Sequence, residues 1–145
     1  MGAFYTPCYD KWLPVQTKAY QTRVYYEDTD ALGIVYHTQY LKWMERARTE
    51  LLLSKQVTFS NLSQWNCFFV VAHCQFSCLH PAKLGECISV STQLITLGHT
   101  RSRWRQTVFC EHKALCEATL TLAIVDAQGK LTKIHPSLKE RLCHS

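Results

Sequence analysis

The sequence predicts one domain of the α+β class, with a single long helix and an antiparallel sheet of five strands. Only the stretch from about Thr38 to Ser54 keeps the apolar spacing of a helix over several turns. One segment before it and four after it are rich in β-forming residues or alternate between apolar and polar side chains. The 145 residues suffice for one sizeable core. A sheet wrapped around the one helix would bury the apolar side of both.

The first strand is predicted over residues 22–27, and a loop follows it. The strand segment contains valine and two adjacent tyrosines, which fit a pleated surface. From Asp28 to Gly33 the chain brings two acids and a glycine, a composition typical of a turn.

The long helix is predicted over residues 38–54, without an interrupting glycine or proline. Thr38 is the predicted N-cap, because a threonine hydroxyl can accept a hydrogen bond from a free N–H of the first turn. The apolar positions that follow helical spacing are Tyr40, Leu41, Met44, Ala47, Leu51 and Leu52.

Four strands are predicted after the helix, preceded by a short helical turn at residues 60–65. Short connections at 98–100 and 111–113 favour an antiparallel meander. We expect residues 1–145 to form one domain, with 1–20 as an N-terminal extension. The predicted strands are 66–78, 86–97, 101–111 and 115–125.

Composition narrows the classes of partner. The formal net charge of +5 favours an anionic partner, but no nucleic-acid-binding motif accompanies it, so nucleic acid is not expected. No apolar run reaches the roughly 20 residues of a membrane-spanning helix. The first residues lack the pattern of a secretory signal, and we expect a cytoplasmic protein.

The 8 cysteines are interpreted as reduced, small apolar residues. His73, Cys74, Cys78 and His80 resemble metal ligands in spacing. On a regular strand, however, the two cysteines would lie about 13 Å apart and His73 would face the other side. No metal site is predicted.

The loop from Asp28 to Gly33 is the most informative stretch for chemistry. It places two carboxylates before a helix N-terminus, where free N–H groups carry partial positive charge. Such donors can hold the oxyanion that develops in acyl transfer, while a carboxylate supplies the nucleophile or the base. The alternative is purely structural, since acids before a helix commonly act as caps or turn residues.

The run from Tyr25 to Glu50 contains E-D-T-D-A-x-G-x-V-Y-H followed by Y-L-x-W-M-E-R-A-R-T-E. It resembles the 4-hydroxybenzoyl-CoA-thioesterase-like hotdog family, most closely its Tol–Pal-associated (YbgC-type) acyl-CoA thioesterase branch. His80-Pro81-Ala82-Lys83 is a weaker echo of the same family. Leu32 departs from it, because a smaller residue is usual at that position.

The resemblance implies a hotdog fold and assigns roles within the loop. Asp30 matches the catalytic carboxylate, and Tyr26 and His37 match polar positions of the same pocket. The backbone N–H near His37 matches the donor that polarises the thioester carbonyl, and Asp28 is expected to be structural. The positions expected to bind substrate in this run are Gly33, Val35 and Tyr36.

The expected activity is hydrolysis of an acyl-CoA thioester, or of an acyl-carrier-protein thioester, with Asp30 as nucleophile or general base. Coenzyme A would be part of the substrate, and no other cofactor is expected. The alternatives are a module that binds acyl thioesters without hydrolysis and a hotdog hydratase or dehydratase. The resemblance also implies a homodimer or homotetramer, and an unpaired edge strand would favour such pairing.

Cations at strand ends are the candidates for the phosphates of coenzyme A. They are Lys83, Arg101 and Arg103. The structural alternative is a merely solvated strand face, where exposed charges contribute little.

Overall fold

The computed structural model describes residues 20–143, which form five strands of one sheet and three α-helices. This confirms the α+β class. The strands are β1 (Tyr20–Arg23), β2 (Phe68–Cys78), β3 (Cys87–Leu97), β4 (Arg101–Cys110) and β5 (Lys113–Val125). The helices are α1 (His37–Ser54), α2 (Phe59–Trp65) and α3 (Pro136–Cys143), with one turn of 3-10 helix at Tyr26–Asp28.

The strand order in the sheet is β1-β3-β4-β5-β2. Strand β1 runs antiparallel to β3, with Tyr20 opposite Val90 and Arg23 opposite Cys87. The predicted meander is confirmed for β3, β4 and β5, which are neighbours in chain order. It is wrong for β2, which pairs with β5 at the far edge, because periodicity within a strand does not encode its partner.

Burial along β4 follows the predicted alternation. The arginines at positions 101, 103 and 105 are exposed, whereas the side chains between them are buried. Strand geometry produces this pattern because successive side chains point to opposite faces. The buried residues of β4 are Ser102, Trp104, Gln106 and Val108.

Several element boundaries differ from the predictions, and one helix was not predicted. Strand β1 ends at Arg23 and not at residue 27. Helix α1 begins at His37, so Thr38 lies inside it and is not the N-cap. Helix α3 was not predicted from the sequence, because its eight residues carry only two buried leucines, Leu138 and Leu142, one turn apart.

The chain divides into two compact units. The first comprises the described residues up to Ala47 together with 77–92 and 106–117. Its interior contains a fully buried polar side chain, Gln106, whose Nε2 donates to the Met44 carbonyl at 2.8 Å and to Thr92 Oγ1 at 2.9 Å. Both bonds replace the water that the amide loses on burial.

The second unit comprises 48–76, 93–105 and the residues from Ala118 onward. Its interior is built around Trp104, whose Nε1 donates to Ser102 Oγ at 2.8 Å and whose ring meets Phe69 edge-on. Helix α3 contributes Arg141, whose guanidinium carbon lies 4.9 Å from the centre of the Trp65 ring. The expectation of one domain across the whole chain stays a prediction.

Cys87 is disulfide-bonded, whereas the six other described cysteines form no disulfide. The interpretation of all eight cysteines as reduced is therefore wrong at Cys87. Spacing along the chain gave no sign of this bond, because disulfide pairing depends on the approach of two Cβ atoms in space. The described cysteines that form no disulfide are Cys67, Cys74, Cys78, Cys110, Cys116 and Cys143.

No helix between residues 20 and 143 combines the length and the apolar character needed to cross a membrane. In the same part of the chain, no three His, Cys, Asp or Glu side chains are grouped so that they could hold a metal ion. Cys74 and Cys78 both lie on β2, as their predicted strand requires.

Candidate active site

Asp30 opens a tight turn that ends at Ile34. The Asp30 N–H donates to the Ile34 carbonyl at 2.9 Å, and the Gly33 N–H donates to the Asp30 carbonyl at 3.0 Å. Thr29 and Val35 pair on either side as an antiparallel bridge. Gly33 has a φ of 75°, a left-handed conformation that favours glycine. The predicted turn is confirmed.

The Asp30 carboxylate is held through one of its two oxygens. Oδ1 accepts hydrogen bonds from the Leu32 N–H at 2.8 Å and from the Ile34 N–H at 3.1 Å. Among residues 20–143 no hydrogen bond reaches Oδ2. The side chain is half-buried. The turn therefore fixes the orientation of the carboxylate and leaves Oδ2 available.

The chain contains a second turn of the same kind at Asp126. There Oδ1 accepts from the Gln128 N–H at 2.9 Å and the Lys130 N–H at 3.0 Å. Gly129 has a φ of 82° and occupies the place of Gly33. Val125 and Leu131 form the flanking bridge. The local bonds of Asp30 are thus a general turn device, and a catalytic role has to rest on what surrounds the turn.

Residues 82–84 flank the Asp30 turn and bind it through the backbone. The Val35 N–H donates to the Ala82 carbonyl at 3.0 Å, and the Leu84 N–H donates to the Gly33 carbonyl at 2.9 Å. Ile34 and Lys83 pair as an antiparallel bridge. The segment His80–Lys83, which resembles the family more weakly, therefore lies beside the main motif in the fold.

Helix α1 contacts this flanking segment through Tyr40, which sequence reasoning had placed only as an apolar helix residue. Its hydroxyl oxygen accepts a hydrogen bond from the Ala82 N–H at 2.9 Å, and both residues are buried. The Tyr40 ring packs edge-on against Trp43. Burial raises the pKa of Tyr40, so the hydroxyl stays protonated near neutral pH.

The loop enters α1 through Asp28 and Tyr36. The Tyr36 N–H donates to the Asp28 carbonyl at 3.2 Å. The buried Asp28 carboxylate accepts from the Tyr25 N–H at 2.9 Å, as its expected structural role requires. No acidic residue lies in the first turn of α1. The positive end of the helix dipole is therefore not compensated by a carboxylate of that turn.

The predicted site residues are only partly brought together. Asp30, Gly33, Val35 and Lys83 are linked by the turn and its flanking segment, with Val35 buried and Lys83 exposed. His37 is exposed as the first residue of α1, and Tyr36 before it is also exposed.

The prediction that Tyr26 lies on a strand is wrong. Tyr26 begins the 3-10 helix and is 78% exposed. The Asp28 side chain and the Thr29 hydroxyl bond to the backbone here and compete with strand pairing.

Arg101 and Arg103 lie exposed on β4 in the second unit, whereas the Asp30 turn belongs to the first. Because the two arginines are not part of the first unit, its structure does not place them beside the Asp30 turn. Their role in binding stays a prediction.

A cleft of about 510 Å³ opens beside Lys83 in the first unit. Glu86 accepts from the Lys83 N–H at 2.6 Å and from Cys110 Sγ at 3.5 Å. Burial and the adjacent Glu86 raise the pKa of Cys110 to about 11. This thiol is therefore protonated at neutral pH and is a poor nucleophile. The cleft is lined by Pro81, Lys83, Glu86, Cys110, Glu111, His112, Lys113 and Leu115.

Comparisons with known proteins agree with this architecture. A family model of the thioesterase-like superfamily matches residues 24–142. The chain is 35% identical over 105 residues to the acyl-CoA thioester hydrolase YbgC of Escherichia coli O157:H7, covering 72% of this chain and 78% of that protein. It is 35% identical over 117 residues to the acyl-CoA thioesterase YbgC of Haemophilus influenzae, covering 80% of this chain and 85% of that one.

Among solved structures, a probable thioesterase from Bartonella henselae is similar with a TM-score of 0.77. The two are 29% identical, with 81% of this chain and 98% of that chain covered. The fold is therefore the hotdog fold, as predicted. The chain belongs to the thioesterase-like superfamily, and the resemblance found in the run from Tyr25 to Glu50 is confirmed.

Gly33→Ala should destabilise the protein by about 1–2 kcal/mol, the cost of a left-handed conformation for a residue with a Cβ. The added Cβ would lie 3.8 Å from Leu84 Cβ, an ordinary contact, so the cost comes from the backbone. Gly129→Ala is the matched variant, because it has the same φ region and nothing within 4 Å. Urea denaturation should give the same loss in the free energy of unfolding for both variants. An unchanged urea midpoint for Gly33→Ala would contradict the left-handed conformation assigned to Gly33.

Proposed function

We propose that the protein hydrolyses acyl-CoA thioesters, with Asp30 as the catalytic carboxylate. The observation that carries the proposal is the setting of the Asp30 turn, which leads within a few residues into the long helix α1, whose first turn lacks an acid. Within that setting, Oδ1 of Asp30 is fixed by two N–H groups while Oδ2 has no partner among the described residues. Membership of the thioesterase-like superfamily and identity to two acyl-CoA thioesterases support it. The Asp126 turn shares the anchoring but does not lead into a long helix.

The chemistry requires little beyond an attacking group and an oxyanion site. Water adds to the acyl carbon, the carbon–sulfur bond breaks, and the products are a carboxylic acid and a free thiol. A thiol has a pKa of about 8.5, so the thiolate leaves without strong general-acid help. In this proposal the N–H groups at the start of α1, near His37, hold the developing oxyanion.

Asp30 has two possible roles in this reaction. Direct attack by Oδ2 forms a mixed anhydride and releases the thiolate, and water then cleaves the anhydride. As a general base, Oδ2 instead takes a proton from the attacking water. Oxygen-labelled water separates them, because a water that attacks the aspartyl carbon leaves its label in the Asp30 carboxylate. Tyr26 and His37 are proposed to orient substrate or water, and Gly33, Val35 and Tyr36 to contact the substrate.

Asp30→Asn should lower kcat for acyl-CoA hydrolysis by about a thousand-fold or more, because an amide oxygen neither attacks nor takes a proton efficiently. The turn should survive, since an asparagine Oδ1 still accepts both N–H bonds. Thiol release, followed with a chromogenic thiol reagent, measures the loss.

Asp126→Asn is the matched control for this experiment. It makes the same chemical change in the same kind of turn, where two backbone N–H groups at the equivalent positions bind Oδ1. Its melting temperature should match that of Asp30→Asn, and its kcat should equal that of the native protein. An Asp30→Asn protein with native kcat would refute the proposed role.

Lys83 is proposed to bind the phosphates of coenzyme A beside the cleft, and Arg101 and Arg103 are proposed to contribute. An exposed lysine contributes at most about 1 kcal/mol, which corresponds to a KM change of roughly five-fold. Lys83→Ala should therefore raise KM for acyl-CoA roughly five-fold and leave KM for acyl-pantetheine, which lacks the diphosphate, unchanged. Lys130→Ala, an exposed lysine of the Asp126 turn, is the control. Equal KM changes for both substrates would contradict a phosphate contact.

The protein is also proposed to form a homodimer or homotetramer. Strand β2 ends the strand order, so one of its edges has no partner strand within residues 20–143. Val70 and Val71 on this strand are 44% and 52% exposed, and unpaired apolar edges favour pairing between copies.

Sedimentation equilibrium should give the mass of at least two chains, and Val71→Lys should shift the protein toward the monomer. Val125→Ile serves as a conservative control on a strand with neighbours on both sides. A native mass equal to one chain would end this part of the proposal.

The second candidate is an acyl-thioester or acyl-carrier-protein binding module without hydrolysis, and a hotdog hydratase is the third. Binding of acyl-CoA without thiol release would favour the module, and conversion of an enoyl-CoA without thiol release would favour the hydratase. The cytoplasmic location stays a prediction.

A further inference from the structure

We infer that Tyr40 is a positioning residue for the hydrolysis, because its hydroxyl fixes the Asp30 turn to helix α1. The inference rests on the proposed function and adds a residue that contacts neither the substrate nor Asp30. Tyr40 lies in the first turn of α1, three residues after His37. A rigid helix therefore links the Tyr40 ring to the N–H groups proposed to hold the oxyanion.

A continuous set of hydrogen bonds runs from Tyr40 to the carboxylate. The Tyr40 hydroxyl accepts from the Ala82 N–H at 2.9 Å, and the Ala82 carbonyl accepts from the Val35 N–H at 3.0 Å. Next to it, the Ile34 N–H donates to Asp30 Oδ1 at 3.1 Å. One hydroxyl group of α1 thus helps to set the separation between the Asp30 carboxylate and the start of the helix.

A second link reaches the same turn from the same segment. The Leu84 N–H donates to the Gly33 carbonyl at 2.9 Å. Lys83 to Glu86 forms a turn of its own, because the Glu86 N–H donates to the Lys83 carbonyl at 3.1 Å and Gly85 has a φ of 86°. These are the features of a type II turn, in which Leu84 occupies the position that proline favours.

Removal of the hydroxyl alone is possible without disturbing the core. Tyr40→Phe keeps the ring that packs edge-on against Trp43 at 5.5 Å between centroids. It leaves the Ala82 N–H, on a fully buried residue, without its acceptor. The segment 82–84 then has to move to find another partner, and the Asp30 turn moves with it.

Ser102 provides the control for a buried hydroxyl that has only a structural role. Its Oγ accepts from Trp104 Nε1 at 2.8 Å and donates to the Leu122 carbonyl at 3.3 Å, within the second unit. Ser102→Ala should therefore lower the melting temperature as Tyr40→Phe does. It does not touch the segment that holds the turn.

The test compares kcat, KM and melting temperature of Tyr40→Phe and Ser102→Ala. Tyr40→Phe should lower kcat by between about ten-fold and a hundred-fold, the effect of a displacement of about 1 Å at a reacting group, with KM for acyl-CoA unchanged. Amide hydrogen exchange in residues 29–36 should accelerate in Tyr40→Phe only. Ser102→Ala should keep the native kcat. Equal kcat in the two variants would overturn the inference.

If Tyr40→Phe does not fold, Leu84→Pro tests whether the segment 82–84 positions the Asp30 turn. Proline suits this turn position and removes the Leu84 N–H that binds the Gly33 carbonyl. It should lower kcat at unchanged KM, whereas Leu84→Ala, which keeps the N–H, should not. A native kcat in Leu84→Pro would overturn the inference. An active Asp30→Asn protein would instead refute the proposed function, so the two failures are distinguishable.

Discussion

The geometry of the candidate site depends on the backbone hydrogen bonds between the Asp30 turn and residues 82–84. A turn of five residues buries too little apolar surface to fix its own position. Its position follows from the bonds that Gly33 and Val35 make with this segment. The segment is in turn held by Tyr40 of α1 at a buried site. Hydrogen bonds therefore join the Asp30 turn, residues 82–84 and the start of α1 to one another.

The two aspartate turns separate what local sequence determines from what the fold determines. Both start with Asp-Ala, place a left-handed glycine three residues after the aspartate, and bind Oδ1 with two N–H groups. The local chemistry is the same, so it specifies the turn and nothing more. Only the Asp30 turn is followed within a few residues by a long helix whose first turn lacks an acid. A functional assignment from such a motif needs this wider context.

Sequence reasoning succeeded where the signal is local. Helix α1, the alternation along β4 and the turns at 98–100 and 111–113 follow from periodicity and turn residues. The end of β1 was wrong because the Asp28 side chain satisfies backbone groups that a strand would otherwise pair. The place of β2 and the Tyr40–Ala82 bond join residues far apart in the chain, and no pattern within a segment encodes them. The turn that carries the Asp30 carboxylate was predictable, but the Tyr40–Ala82 bond was not.

Two of the described cysteines, Cys74 and Cys110, are poorly suited to supply a thiolate nucleophile. A cysteine nucleophile must be ionised near neutral pH, which requires a positive or polar environment. Burial raises the pKa of both Cys74 and Cys110, and at Cys110 the adjacent Glu86 raises it further, to about 11. Neither thiol is prepared for attack. Asp30, in contrast, presents a carboxylate that its turn holds in a fixed orientation, as the proposed role requires. Oδ1 of Asp30 is oriented by two N–H donors, and Oδ2 accepts no hydrogen bond from the described residues.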